Sequence, residues 1–133
     1  IVPGSLNEDE RKFARLLESD TGRTVSWWHR NEVRRPDSIG IVMPDGHRYY
    51  PDFIIGVKNR NRGEGILLAE IKGGHILKSD ETKEKITAEH KIYGSPLMLT
   101  LQDDGQFWIV RYAESSDQIE KDQVFRVENM GQY

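Results

Sequence analysis

Asp52, Glu70 and Lys72 are spaced so that their side chains can converge. The two acids stand 18 residues apart, and the midpoint between them, residue 61, falls in the polar loop Asn59-Arg60-Asn61-Arg62-Gly63-Glu64-Gly65. In an antiparallel hairpin folded about residue 61, Asp52 faces Glu70 across the ladder. Lys72 lies two residues beyond Glu70 and so shares its face of the strand. The flanking residues are apolar, Phe53-Ile54-Ile55 on one side and Ile66-Leu67-Leu68 on the other. A charged cluster between such strands is costly to bury without compensation. Two carboxylates about 5 Å apart repel by roughly 3 kcal/mol at an effective dielectric near 20. A hard divalent cation with oxygen ligands reverses the sign of that contribution. The competing reading is a cross-strand salt bridge on an exposed sheet face. A lone Glu-x-Lys says little. The combination says more: Pro51-Asp52 followed by apolar residues, an apolar run before Glu70, and Gly73-Gly74 after Lys72 favour a reactive site.

The elements that must hold this site are legible from periodicity. Ser5-Leu6-Asn7-Glu8 fits a capping box, so a helix is expected from Leu6 to Ser19. Glu10 shares its Phe13-Ala14-Leu17 stripe, which places an acid on the inward face where a metal would partner it; the alternative puts Glu10 at the solvated rim. Strands are expected over Thr24–Trp28, Ser38–Met43, Tyr49–Lys58 and Ile66–Lys72, with a turn at Pro44-Asp45-Gly46. A second helix from Ser79 to Tyr93 would carry Lys83, Ile86, His90 and Tyr93 on its inner stripe. Lys83 then either meets a substrate phosphate or forms a structural ion pair, with Lys85 as its rival. Leu97–Leu101 and Gln106–Tyr112 form a closing hairpin, and the acidic tail from Glu114 is hard to assign. Trp27 and Trp28 point to opposite faces of their strand, and core packing is the expected role of both. The strand, helix, strand passage predicts a parallel pair, hence an α/β fold with a mixed sheet flanked by helices.

Composition sets the limits. The 133 residues suit one domain, with no internal repeat or linker dividing them. A hydrophobic fraction of 36% against 31% charged reads as soluble and globular rather than disordered. No apolar run reaches the roughly 18–20 residues that span a bilayer, so no membrane partner is expected. The absence of cysteine excludes disulfides, zinc-thiolate sites and cysteine nucleophiles, and fits a cytoplasmic setting. The net charge of −3 is unevenly spread. Residues 23–91 hold 13 Lys/Arg against 10 Asp/Glu, while residues 92–133 hold 3 against 7. The basic middle contains every candidate except Glu10; it permits a nucleic-acid partner, although ordinary solvated surface reads the same way. The start at Ile1-Val2-Pro3-Gly4, without Met, suggests a domain excised from a larger protein.

These residues resemble the PD-(D/E)xK nuclease superfamily, and most closely the C-terminal endonuclease domain of type III restriction enzymes and related helicase-nuclease proteins. The resemblance is carried by Glu10-Arg11-Lys12-Phe13-Ala14, Trp27-Trp28-His29-Arg30-Asn31, Tyr49-Tyr50-Pro51-Asp52-Phe53-Ile54-Ile55 and Leu68-Ala69-Glu70-Ile71-Lys72-Gly73. It implies a restriction-endonuclease-like fold with an α-β-β-β-α-β core. It further implies Mg²⁺ (with Mn²⁺ as a substitute) on Asp52, Glu70 and the backbone carbonyl of Ile71, Glu10 as an outer ligand or the link to a second metal, and Lys72 as the group that orients the attacking water. Lys83 and Lys85 stand where a substrate contact would. The implied partners are DNA, a helicase or ATPase module in the same polypeptide, and a methyltransferase or other defence subunit, in restriction or phage defence. The alternative is a catalytically silent module of the same fold that binds DNA or docks a subunit.

Overall fold

Asn7 starts the first helix by accepting a hydrogen bond from the Glu10 amide (2.8 Å), while the Glu10 carboxylate returns to the Asn7 amide (3.1 Å). This reciprocal box satisfies two of the orphan donors of a helix start. It moves the cap two residues downstream of the expected Ser5, because Asn7 has its own acid three residues on. The helix, α1, runs Glu8–Asp20 and buries Phe13, Ala14 and Leu17 along one stripe. The computed structural model describes residues 6–60, 65–73 and 80–133. Ser5, most of the loop centred on residue 61, Gly74 and the expected helix start at Ser79 lie outside the described residues.

Strands β1 (Val25–Arg30), β4 (Phe53–Val57), β5 (Ile66–Lys72), β6 (Leu97–Leu101), β7 (Phe107–Ala113) and β8 (Gln118–Val124) form one sheet in the order β1-β4-β5-β6-β7-β8. A separate two-stranded ribbon pairs β2 (Ile41–Val42) with β3 (Arg48–Tyr49) around the Pro44-Asp45-Gly46 turn. Among the described residues the one parallel strand pair is β5 with β6, as the strand, helix, strand passage predicts; the other pairings of the sheet are antiparallel. The fold is therefore mixed α/β, dominated by antiparallel pairing.

Every residue of β4 is buried, and so are the five central residues of β5. That continuous burial, with Glu70 as its one charged member, marks strands covered on both faces. Alternate residues Phe53, Ile55, Leu67, Ala69, Ile71 and Leu99 pack under α1. Phe13 anchors that layer, edge-on to Phe53 (5.1 Å between centroids) and to Phe107 (5.4 Å). The other face buries Ile54, Leu68, Met98 and Val110. The second helix, α2, covers Asp80–Thr87, much shorter than the expected Ser79–Tyr93. Beyond it His90 and Gly94 exchange backbone hydrogen bonds in a turn.

Three further expectations change. The run Tyr49–Lys58 is not one strand, because it breaks between β3 and β4 at Tyr50-Pro51-Asp52, where Pro51 lacks the N–H a ladder needs. The acidic tail supplies β8 and a 3-10 helix, Val127–Gln132; the strand went unread because its charged residues face solvent at the sheet edge. Trp27 is not core. It is 40% exposed and lies flat over Gly56, its cross-strand neighbour, so closely that a Cβ there would stand 2.3 Å from the indole nitrogen. Trp28 packs on Phe53 and the core, and its indole donates to Glu18 (2.7 Å).

Candidate active site

The hairpin register places Phe53 opposite Ala69, so Asp52 falls opposite Glu70 one step beyond the last paired residues. Asp52 belongs to the elbow before β4 rather than to the strand, and its backbone is pinned from β1. The Asn31 amide and the Arg30 guanidinium both donate to the Asp52 carbonyl, at 2.8 and 2.9 Å. The buried Asn31 side chain donates to Pro51 O and Ile39 O (both 2.8 Å) and accepts from the Ile39 amide (3.0 Å). The Arg-Asn pair after the tryptophans thus clamps the elbow that presents Asp52. Neither residue stood among the expected site residues; the only signal was the stretch Trp27–Asn31 itself.

The carboxylates then interlock with the backbone. Asp52 Oδ2 accepts from the Ile71 amide (2.9 Å), and Glu70 Oε1 accepts from the Asp52 amide (3.1 Å). Arg30 bridges Asp52 Oδ1 and Glu10 Oε2, each at 3.4 Å. On the other side Glu70 Oε2 meets Lys72 Nζ at 3.5 Å and Lys85 Nζ at 3.2 Å. Lys85 also stands over the ring of Tyr49, 4.9 Å from its centroid. The structure thus gathers Glu10, Asp52, Glu70, Lys72 and Lys85, and adds Arg30 and Tyr49.

Lys83 does not join them. It is half-exposed, pairs with Asp117 (3.0 Å) and covers the Tyr112 ring (4.7 Å). Because α2 ends at Thr87, His90 and Tyr93 do not extend its inner stripe; buried Thr82 sets the helix phase and turns Lys85 inward. Glu10 is buried, not at a solvated rim, but both its oxygens are engaged, Oε1 by Asn7 and Oε2 by Arg30.

Electrostatics follow from this crowding. Burial, then the charge of Glu70, push Asp52 up to about 6, against the lowering effects of the Ile71 amide and Arg30. Burial also raises Glu10, with the nearby Asp52 charge adding to it. Tyr49 is raised well above the usual phenol range, by burial first and by Glu70 and Asp52 next. Its buried hydroxyl lies beside these acids without a well-formed hydrogen bond.

Among the described residues, no group of three or more His, Cys, Asp or Glu side chains is arranged to hold a metal ion. What remains is a two-carboxylate donor set, Asp52 and Glu70. It fits a hard cation that keeps several waters and takes one or two carboxylates from the protein. The buried Tyr49 hydroxyl beside it is a further polar group without a well-formed hydrogen bond.

Two clefts adjoin this cluster. One of about 500 Å³ is lined, among the described residues, by Val33, Arg34, His47, Arg48, Tyr49, Tyr50 and Lys85, with Asp45 paired to His47 beside it. A larger one of about 690 Å³ runs along β1; Glu18, Glu32 and Asp37 offset Arg30 and Arg35 in its lining, and neither Asp52 nor Glu70 opens into it. The smaller cleft reaches the carboxylates through Tyr49 and Lys85 and has the better charge for an anion. No helix among the described residues is long and apolar enough to cross a membrane. Comparison of the chain with family models, with curated proteins and with solved structures finds no match.

Proposed function

We propose that the chain is a metal-dependent endonuclease domain of restriction-endonuclease-like fold, hydrolysing DNA phosphodiester bonds with Mg²⁺ or Mn²⁺. One observation carries the reading: Asp52 and Glu70 lie in register at the end of the β4–β5 pair, with Lys72 and Lys85 both on Glu70 Oε2. Such a carboxylate pair with adjacent ammonium groups suits phosphodiester hydrolysis, which needs a nucleophilic water and neutralisation of charge on the phosphate. The cleft beside the pair, with Arg34 and Arg48 in its lining, supports a polyanionic substrate.

Asp52 and Glu70 would hold the divalent cation, which would supply a more acidic water and neutralise charge on the phosphate. The chain's own residues do the rest. Asn31 and Arg30 hold the Asp52 elbow, and the Ile71 amide fixes the Asp52 carboxylate. Lys72 and Lys85 are point charges on flexible stems, able to leave Glu70 for water or phosphate oxygens. A helicase module elsewhere in the polypeptide and a role in restriction or phage defence belong to the same proposal.

A second reading rests on charge balance. Three carboxylates (Glu10, Asp52, Glu70) face three cations (Arg30, Lys72, Lys85), which suits a silent module that binds DNA without cutting it. Incubation of supercoiled plasmid with the protein and 10 mM Mg²⁺ or Mn²⁺ separates the two. Nicked or linear product that disappears in Lys72→Ala supports the nuclease. Metal-independent DNA binding with no cleavage by the wild type supports the silent module.

A further inference from the structure

The geometry points to Arg30 as a built-in cation that takes the place of a second metal ion, confining the protein to one divalent ion per chain and keeping Glu10 out of its coordination. The inference rests on the metal-site reading above and sharpens it. Glu10 and Asp52 are the pair between which a second ion would lie, and Arg30 is already there, with one nitrogen 3.4 Å from Glu10 Oε2 and from Asp52 Oδ1. The guanidinium is held at four points, because its other terminal nitrogen donates to Asp52 O (2.9 Å) and Asn31 O (3.0 Å). A planar guanidinium cannot be deprotonated in a protein, and here its fork is filled on both prongs.

The other side of the cluster is held differently. Lys72 and Lys85 meet Glu70 at the same oxygen, Oε2, through ammonium groups on flexible stems rather than through a planar fork. An incoming dication therefore displaces the lysine contacts more readily than the arginine, and enters between Asp52 and Glu70. A second dication at Glu10 would stand against the Arg30 guanidinium, like charge on like charge. Glu10 has a separate duty that explains its burial without any metal: its Oε1 closes the capping box on Asn7. Arg30 is thus a positioning residue for Asp52 and a limit on stoichiometry.

The test is a Mn²⁺ titration of the 133-residue chain, with free Mn²⁺ read by its paramagnetic resonance signal and folding checked by circular dichroism. Wild type should bind one ion. Glu10→Gln keeps an oxygen for the Asn7 amide and should still bind one, with Kd within about threefold of wild type, since a lost ligand would cost far more than a lost distant charge. Arg30→Gln should bind a second ion. Two ions on wild type, a tenfold or larger loss of affinity in Glu10→Gln, or a single ion on a folded Arg30→Gln each overturn the inference and leave the metal site standing. If Arg30→Gln does not fold, the wild-type and Glu10→Gln arms decide. No binding by wild type at millimolar Mn²⁺ overturns the metal reading together with the inference.

Discussion

Asp52 carries its charge at a cost that should be measurable. Burial and the charge of Glu70 raise it from an ordinary 3.8 to about 6, with its side chain only 16% exposed. A group whose folded pKa lies above its unfolded value holds more protons when native, so stability falls as pH rises through the window from about 4 to 6. The full penalty, present above pH 6, corresponds to about 3 kcal/mol at 1.36 kcal/mol per pH unit. Between pH 5 and pH 7.5 the same relation predicts a loss of about 1.4 kcal/mol, because the native carboxyl is largely protonated at the lower pH and ionised at the higher. For a chain of 133 residues that is about 5 °C in melting temperature, at roughly 2.1 cal/mol/K of unfolding entropy per residue.

The assay is thermal melting of the metal-free protein at both pH values, beside Asp52→Asn. Glu10, also raised by burial, acts in the same direction, whereas His90, lowered by burial, acts in the opposite one; the difference between the two proteins removes the His90 contribution, and the part of the Glu10 shift that comes from the Asp52 charge is read together with Asp52. Asp45, Asp104 and Asp117 are lowered by hydrogen bonds and titrate below the window. Wild type should lose about 5 °C more than the variant on going to pH 7.5. Adding Mg²⁺ at pH 7.5 should then restore wild type alone, by about 1.4 kcal/mol at a tenfold excess over Kd. If the two proteins lose the same stability, Asp52 carries no strained charge. If Mg²⁺ stabilises Asp52→Asn equally, the ion binds elsewhere.

Other perturbations test separate parts of the site. Lys72→Ala should abolish plasmid cleavage while calorimetry finds metal binding unchanged or slightly tighter, since a neighbouring positive charge is gone. Asn31→Ala leaves Pro51 O and both groups of Ile39 without their partner and should cost roughly 2–4 kcal/mol in urea unfolding; a loss below 0.5 kcal/mol would dismiss the clamp. Gly56→Ala should push Trp27 off the sheet, costing about 1–3 kcal/mol and shifting its fluorescence to the red. Arg34→Ala with Arg48→Ala should weaken DNA binding and flatten its logarithmic salt dependence by about 2, one phosphate contact for each arginine.

Side-chain periodicity makes the site legible where the pattern is strict and the contact is local to one hairpin. Two acids equidistant from a loop centre face each other in any antiparallel register that honours the loop, and the Phe53–Ala69 pairing follows that rule. The parallel β5–β6 pair was legible for a similar reason, since a helix must intervene between such strands. The inner face of α2 was misread because its length was. A stripe drawn through Ile86, His90 and Tyr93 presupposes helix beyond Thr87, and with that gone the phase belongs to Thr82 and Lys85.

What escaped entirely is the support for Asp52. Asn31 and Arg30 act on it over 21 and 22 residues of chain, through backbone carbonyls that no side-chain pattern records. An Asn at the end of a strand reads as a turn residue, and an Arg as solvated surface. Their roles depend on the proline break that turns residues 50–52 out of the ladder. Once Pro51 has no N–H to pair, its carbonyl and that of Asp52 need donors from elsewhere, and β1 is the strand alongside. The break that ends the expected long strand is therefore also what requires Arg30 and Asn31, and what frees the Asp52 carboxylate to turn toward Ile71 and Glu70.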